Sequence, residues 1–299
     1  MRLSIRLFTT LALPVLAHVS QARGQSGQDD PAMIAQRLDP VWTVQVEPSV
    51  WYVAPSGKVK LPVSSGTGPG SFTTPGESIK LERLNLDTPR FEPAGEIHLS
   101  SERWRFSFSG STYGLEREGT TADSSFRLGA VEVAAGDAIN VELDFTSVEL
   151  TGGYRIWDRD FKAASEVPEN AFDAVVRVYA LGGARFYDVS FDLANRSAGG
   201  AAAADEFFGE PIVGLRGEAD FGEDFSLDLQ ISGGGFADSD RSSLSLDIVA
   251  GFQWHPTRYC GVQIGYRQLA FGLADGDELN EFEYNGRLAG LFAGLVLRF

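Results

Sequence analysis

Residues 286–299 read Gly-Arg-Leu-Ala-Gly-Leu-Phe-Ala-Gly-Leu-Val-Leu-Arg-Phe. Within them Ala289, Leu291, Ala293, Leu295, Leu297 and Phe299 recur at every second position, the repeat of a strand whose successive side chains point to opposite faces. The same period runs upstream. Phe225, Leu227, Leu229 and Ile231 alternate with Ser226, Asp228, Gln230 and Ser232. Leu244, Leu246, Ile248, Ala250, Phe252 and Trp254 alternate with Ser245, Asp247, Gly251 and Gln253. Val262, Ile264 and Tyr266 alternate with Gln263, Gly265 and Arg267. Near the start of the pattern, Val44, Val46, Val50 and Tyr52 alternate with Gln45, Glu47, Ser49 and Trp51, and Trp104, Phe106 and Phe108 alternate with Arg105, Ser107 and Ser109. Strands are expected almost throughout residues 41–299.

Composition agrees. Gly is 34 and Phe 21 of the 299 residues, against only 2 Met, a β-rich usage. With 25 Lys+Arg against 41 Asp+Glu the formal charge is −16, which excludes a nucleic-acid partner, since phosphates require a basic face. The single cysteine, Cys260, excludes an internal disulfide and a thiolate zinc cluster. Three histidines, with His18 in the leader, exclude a His-rich metal cage. No cofactor, metal or catalytic residue is expected. Residues 1–22, with Arg2 and Arg6 before an apolar run and Ser20-Gln21-Ala22 after it, read as a cleaved signal peptide. Residues 23–40 read as a periplasmic tether, and 41–299 as the folded part.

Short connections are expected at 100–102, 222–224 and 255–257, with 158–171 intermediate. Longer, Gly/Asp/Ser-rich connections are expected at 54–90, 114–138, 194–208, 235–243 and 272–280. Short and long alternate, as in an antiparallel up-and-down transmembrane β-barrel with turns at one end and loops at the other. About ten strands result; the ambiguous stretch 54–90 leaves eight or twelve open. In the long strand 139–157 the apolar set changes phase from Ile139, Val141, Leu143 and Phe145 to Val148, Leu150, Tyr154 and Ile156, which predicts a bulge near 145–147.

Alternation alone does not say which face is inside. In an exported soluble sandwich the apolar face points inward; in a membrane barrel it points to lipid. The charges decide. Glu47, Arg105, Arg155, Arg177, Arg216, Glu218, Asp220, Asp228, Asp247 and Arg267 fall mid-strand on the polar face. That is too many for a dry core, where an unpaired charge costs several kcal/mol. Both signs together suit a hydrogen-bonded network in a polar lumen. Gly-x-Arg recurs at 153–155, 183–185, 214–216 and 265–267, the glycine expected to make room for a guanidinium on the same face. Such arginines either attract anions into the lumen or pair with neighbouring acids and fill it.

The segments Gly214-Leu215-Arg216, Gly234-Gly235-Phe236, Gly265-Tyr266-Arg267 and the terminal Arg298-Phe299 resemble, over residues 209–299, poorly characterised bacterial outer-membrane β-barrel proteins near the small OmpA/OmpW-like barrels. The resemblance implies a place in the outer membrane with lipid as partner. It also implies an insertion signal, Leu295, Leu297 and Phe299, read by the barrel-assembly machinery. It carries no catalytic residues.

Eight to ten strands leave an interior just wide enough for side chains or one small ligand, so the expected role is structural or passage of small solutes. A ligand conduit with an Arg-lined lumen and a lipid-modifying enzyme are the alternatives. An enzyme would need serine beside histidine. His98 precedes Ser100 and Ser101 near a turn, and His255 precedes Pro256; both read as interfacial or turn histidines. The acids Asp238, Asp240, Asp275, Asp277 and Glu278 lack the spacing of a calcium loop and read as solvated. Trp42, Trp104, Trp157 and Trp254, with Tyr259, are expected to form an interfacial girdle at the short-turn end.

Overall fold

The computed structural model describes residues 42–67, 73–162, 173–222 and 224–299. The expected signal peptide, the tether and part of the 158–171 turn lie outside the described residues. The elements in chain order are β1 (Thr43–Lys60), β2 (Gly66–Thr67), β3 (Ile79–Lys80), β4 (Arg90–Ser100), β5 (Trp104–Thr121), β6 (Phe126–Leu128), β7 (Val131–Val133), β8 (Ala138–Lys162), β9 (Asp173–Asn195), β10 (Ala201–Phe221), β11 (Phe225–Ala237), β12 (Arg241–Trp254), β13 (Cys260–Asp275) and β14 (Phe282–Arg298). β2 and β3 are two-residue additions to a 12-stranded sheet. The other ten close on themselves, each antiparallel to both neighbours. β14 pairs with β1 (Tyr52 opposite Leu291) and β10 with β11 (Leu215 opposite Ile231). A single sheet without edges is a barrel; the sandwich alternative fails because, among the described residues, no second large sheet faces this one.

The strands are longer at the loop end than their alternation suggests. β8 has 25 residues, β9 has 23 and β10 has 21, whereas β4 has 11. Residues 201–208, expected in a loop, are strand. The run Ala201–Ala204 carries no visible alternation because all four side chains are the same, yet Ala202 and Ala204 point inward and are buried. Likewise β1 continues to Lys60 and β13 to Asp275, and residues 238–240 are only a tight turn. The wall therefore rises unevenly, highest along β8–β10.

Which face is apolar changes along that height. Near the short turns the outward side chains are Val213, Leu215, Leu229, Leu246, Ile264, Leu291 and Leu295, all exposed, Val213 at 72% and Leu291 at 64%. The inward neighbours of Leu215, Leu229, Leu246 and Ile264 include Arg216, Asp228, Gln230, Ser245, Asp247 and Gln263. Towards the loop end the rule reverses. Ile139, Val141, Leu143, Phe145, Tyr187, Val189, Phe191 and Leu193 point inward and are buried, while Glu142, Asp144 and Asp188 stand on the outer face.

The expected bulge at 145–147 is absent for this reason. Pairing runs without a shift through Tyr113–Phe145, Thr112–Thr146 and Ser111–Ser147, and from Phe145–Val189 to Ser147–Tyr187. The strand keeps its phase; the environment on its two sides changes. The register shifts that do occur lie between Arg155 and Trp157 and between Arg117 and Thr120.

The inward apolar residues of the upper wall form one core with the connections above them. Phe145 stacks on Phe271 at 4.8 Å, and Tyr284 meets Phe271 edge-on at 5.0 Å. Leu61, Leu81, Leu84 and Leu86 from the β1–β4 connection, with Phe126, Leu128 and Val131 of the β6–β7 hairpin, close over these rings; all are buried. A 3-10 turn at Leu81–Leu84 ends in Asn85, whose φ of 55° reverses the chain so that Leu81 and Leu84 both point down. The loops thus act as a lid of apolar side chains.

Candidate functional site

Below the aromatic tier the interior is ionic. β1, β4 and β5 contribute Glu47, Glu96, His98 and Arg105; β8 and β9 contribute Glu149, Arg177 and Arg185; β10–β13 contribute Arg216, Glu218, Asp220, Asp228, Gln230, Asp247 and Arg267. Period two puts them on one face, and closure of the sheet brings them together across the lumen.

The network has three foci. At the short-turn mouth Arg105 meets Glu218 at 2.5 Å, Arg177 pairs with Asp220, and Arg298 donates to Gln45 Oε1 at 2.9 Å. These residues line an open cavity of about 380 Å³. One level up, Arg216 holds Asp228 at 2.6 Å, Glu96 at 3.3 Å and Glu218 at 3.4 Å. Above it Arg185, fully buried, donates to Glu149 at 2.5 and 2.8 Å and to Ser232 and Ser245 at 2.8 and 2.7 Å, and lies 3.4 Å from Asp247. Arg267 holds the same Asp247 at 2.7 Å and covers the Trp51 ring at 5.5 Å. A cavity of about 70 Å³ remains between Glu47, Glu96, Gln253 and Arg267.

Of the expected lumenal residues, Arg105, Arg177, Arg216, Glu218, Asp220, Asp228, Asp247 and Arg267 meet in these foci. Arg155 lines the same short-turn cavity as Arg105 and Arg177, beside the bulge at the rim, 3.8 Å from Glu102 and 3.9 Å from Asp158. Leu295 and Phe299 are exposed, and the Phe299 N–H donates to Val44 O at 2.9 Å, so the end of β14 is stitched to β1. Leu297 pairs with Val46 and with Cys260.

The glycines of Gly-x-Arg do not primarily shelter guanidiniums. A Cβ at Gly183 would stand 2.0 Å from Leu150 O of the next strand, and one at Gly265 would strike Ala250 O and the Phe292 ring, both at 2.4 Å. They permit backbone and ring to crowd the inner face where the wall curves.

Arg185 is marked in the sequence by its Gly-x-Arg repeat, whereas Glu149 and Glu96 were not singled out, although both carry the correct parity. His98, expected at an interface or turn, is instead completely buried inside the lumen. Its parity was the available signal, since Ile97 and Leu99 point outward and are exposed. Its ring meets Ser107 Oγ at 2.8 Å, not Ser100 or Ser101. That hydroxyl faces the enclosed interior, so no serine–histidine pair is presented to lipid on the outer wall at this point. His255 is buried in the β12–β13 turn, its backbone N–H donating to Asp224 O at 2.6 Å.

At the loop end Asp275 is engaged by Arg241, with Glu206 3.6 Å from the same guanidinium. Asp238 accepts the Ser239 N–H at 2.8 Å. Trp42, Trp104, Trp157, Trp254 and Tyr259 are all exposed near the short-turn end, and Trp104 meets Tyr154 at 4.9 Å. No helix among the described residues is long and apolar enough to cross a membrane.

No family model matches the chain, and no curated protein matches it. Among solved structures it is similar to the attachment invasion locus protein Ail of Yersinia pestis, at 13% identity over 86% of this chain and 99% of that one, with a TM-score of 0.31. Neisserial surface protein A matches at 14% identity over 86% and 97%, TM-score 0.28. The toluene transporter TodX of Pseudomonas putida matches at 11% over 90% and 92%, TM-score 0.27. Similarity of this strength carries nothing about activity to this chain.

Proposed function

We propose that the chain is an integral outer-membrane β-barrel with a structural role, whose filled lumen conducts no solute and whose upper wall and lid stand outside the bilayer. The observation that carries this is the exchange of apolar and polar faces along one continuous wall. A belt of exposed Leu, Val, Ile and Phe around the whole circumference of a soluble monomer would far exceed the apolar patches such proteins tolerate. Set in hydrocarbon, it is the expected surface, and a closed sheet leaves no backbone group unpaired there. Above the belt the outer face turns acidic and the inside turns apolar, as in any barrel standing in water. The tryptophans at the short-turn end lie at one edge of the belt, where interfacial aromatics belong. Lipid is accordingly the principal partner. Leu295, Leu297 and Phe299 serve as the insertion signal for the barrel-assembly machinery, and residues 1–22 as the leader that brings the chain to it.

The filled interior argues against passage. The charged foci are paired among themselves, and the described side chains of the aromatic tier and lid above them are buried against one another. Purified protein in planar bilayers is expected to give no stepwise current; ohmic steps from the wild-type chain would overturn the closed reading and favour the conduit.

A further inference from the structure

Glu47 and Glu96 face each other directly across the β1–β4 ladder, on the inner face. Like charges in that position repel unless a cation lies between them. Glu96 has one, Arg216 at 3.3 Å. Glu47 has no guanidinium within ion-pair range among the described residues. It is 4% exposed, and it is approached by the side-chain amides of Gln45 and of Gln253, the latter at 3.3 Å, both neutral. Around it Glu47, Glu96, Glu218 and Asp228 face two arginines, Arg105 and Arg216, while Arg298 is turned to Gln45.

The remaining neighbour is His98. Its Nε2 is buried, makes no hydrogen bond and lies 3.4 Å from Glu47 Oε1. Two ligands of a tetrahedral zinc ion, each about 2.0–2.1 Å from the metal, stand about 3.4 Å apart. Nδ1 is 2.8 Å from Ser107 Oγ and 3.3 Å from Glu96 Oε1, so a proton on Nδ1 can be donated to the hydroxyl, leaving the Nε2 lone pair free to coordinate on the side of Glu47. One donor atom each from Glu47, Glu96 and His98 lies within 4.8 Å of the other two. The cavity of about 70 Å³ adjoins both carboxylates, with space for a water as a further ligand.

We infer that Glu47, Glu96 and His98 form a binding site for one divalent transition-metal ion of the zinc type inside the barrel. One imidazole with carboxylates suits such an ion better than calcium or magnesium, which take oxygen ligands alone. The ion supplies the charge that Glu47 lacks and ties β1 to β4, next to the seam where β1 meets β14.

The test uses the full barrel purified in detergent, stripped with chelator and titrated with Zn²⁺. The wild type is expected to bind one ion and to unfold at a higher temperature with it, whereas Ca²⁺ does neither. His98→Gln and Glu47→Gln are expected to weaken binding by more than the ~10–100-fold that losing an outer-shell partner costs. His255→Gln and Asp240→Asn are expected to bind as the wild type does. Heat-modifiable gel mobility reports whether each variant is folded. Should either ligand variant fail to fold, Cu²⁺ in the wild-type barrel still decides, through the nitrogen hyperfine coupling of one imidazole in its electron paramagnetic resonance spectrum. Absence of zinc binding, absence of that coupling, or binding that survives His98→Gln and fails in His255→Gln would overturn the site.

Discussion

Arg185 has no exposed surface and spends its donors on Glu149, Ser232 and Ser245. Removing it leaves Glu149 and Glu210 as buried charges without a counterion, whereas Asp247 keeps Arg267. Arg185→Ala is therefore expected to lower stability by about 3–5 kcal/mol, and Arg185→Met with Glu149→Met and Glu210→Gln to recover much of the loss, as read by urea unfolding in micelles. At the loop end Asp137 accepts the Ala134 N–H at 2.9 Å and the Asn195 side-chain amide at 2.8 Å, and these bonds hold its carboxyl below the usual carboxylate range. A depressed folded value means that this clamp is fully present above the unfolded value, about 3.9, and is lost as pH falls through the lower folded value. The protection factor of the Ala134 amide should stay unchanged from pH 7 down to about 4 and fall below that, and Asp137→Ala should abolish it at every pH. Parity in the sequence exposes which charges share a face. It does not tell how they pair, because partners such as Arg185 and Ser245 stand on strands that only ring closure brings together.

On β8 one strand obeys two rules. Phe145, inside, is stacked on Phe271, and Phe145→Ala is expected to cost about 3–5 kcal/mol. On the outer face of the belt Leu229→Arg on β11 is expected to cost about 2–4 kcal/mol in lipid vesicles, and Asp188→Arg on β9, above it, at most about 1. Folding titrations into vesicles compare the three. The strands themselves were legible because period two survives in both zones. The sign of the period was not, since alternation is identical whether the apolar set faces lipid or a dry core. Hence the switch between Phe145 and Val148 imitated a bulge, and the top of β10 read as loop where Ala201–Ala204 hides the period. The even strand count and the short turns at 222–224 and 255–257 could be read directly, because Gly, Asp and Pro punctuate them.

For the molecule as a whole, both signs of charge are drawn into the lumen and paired there, while Glu142, Asp144 and Asp188 stand on the outer wall beyond the belt. The central claim is that the greasy outer belt contacts hydrocarbon while the same strands stand in water higher up. Nitroxide labels on a Cys260→Ser background test it most directly, placed by Leu229→Cys, Asp188→Cys and Gln230→Cys in the protein reconstituted in lipid. Leu229 should be relaxed by oxygen and not by a water-soluble nickel chelate, Asp188 by the chelate, and Gln230 weakly by either. Strong relaxation of the Leu229 label by the chelate, from protein that stays monomeric without detergent, would contradict the account.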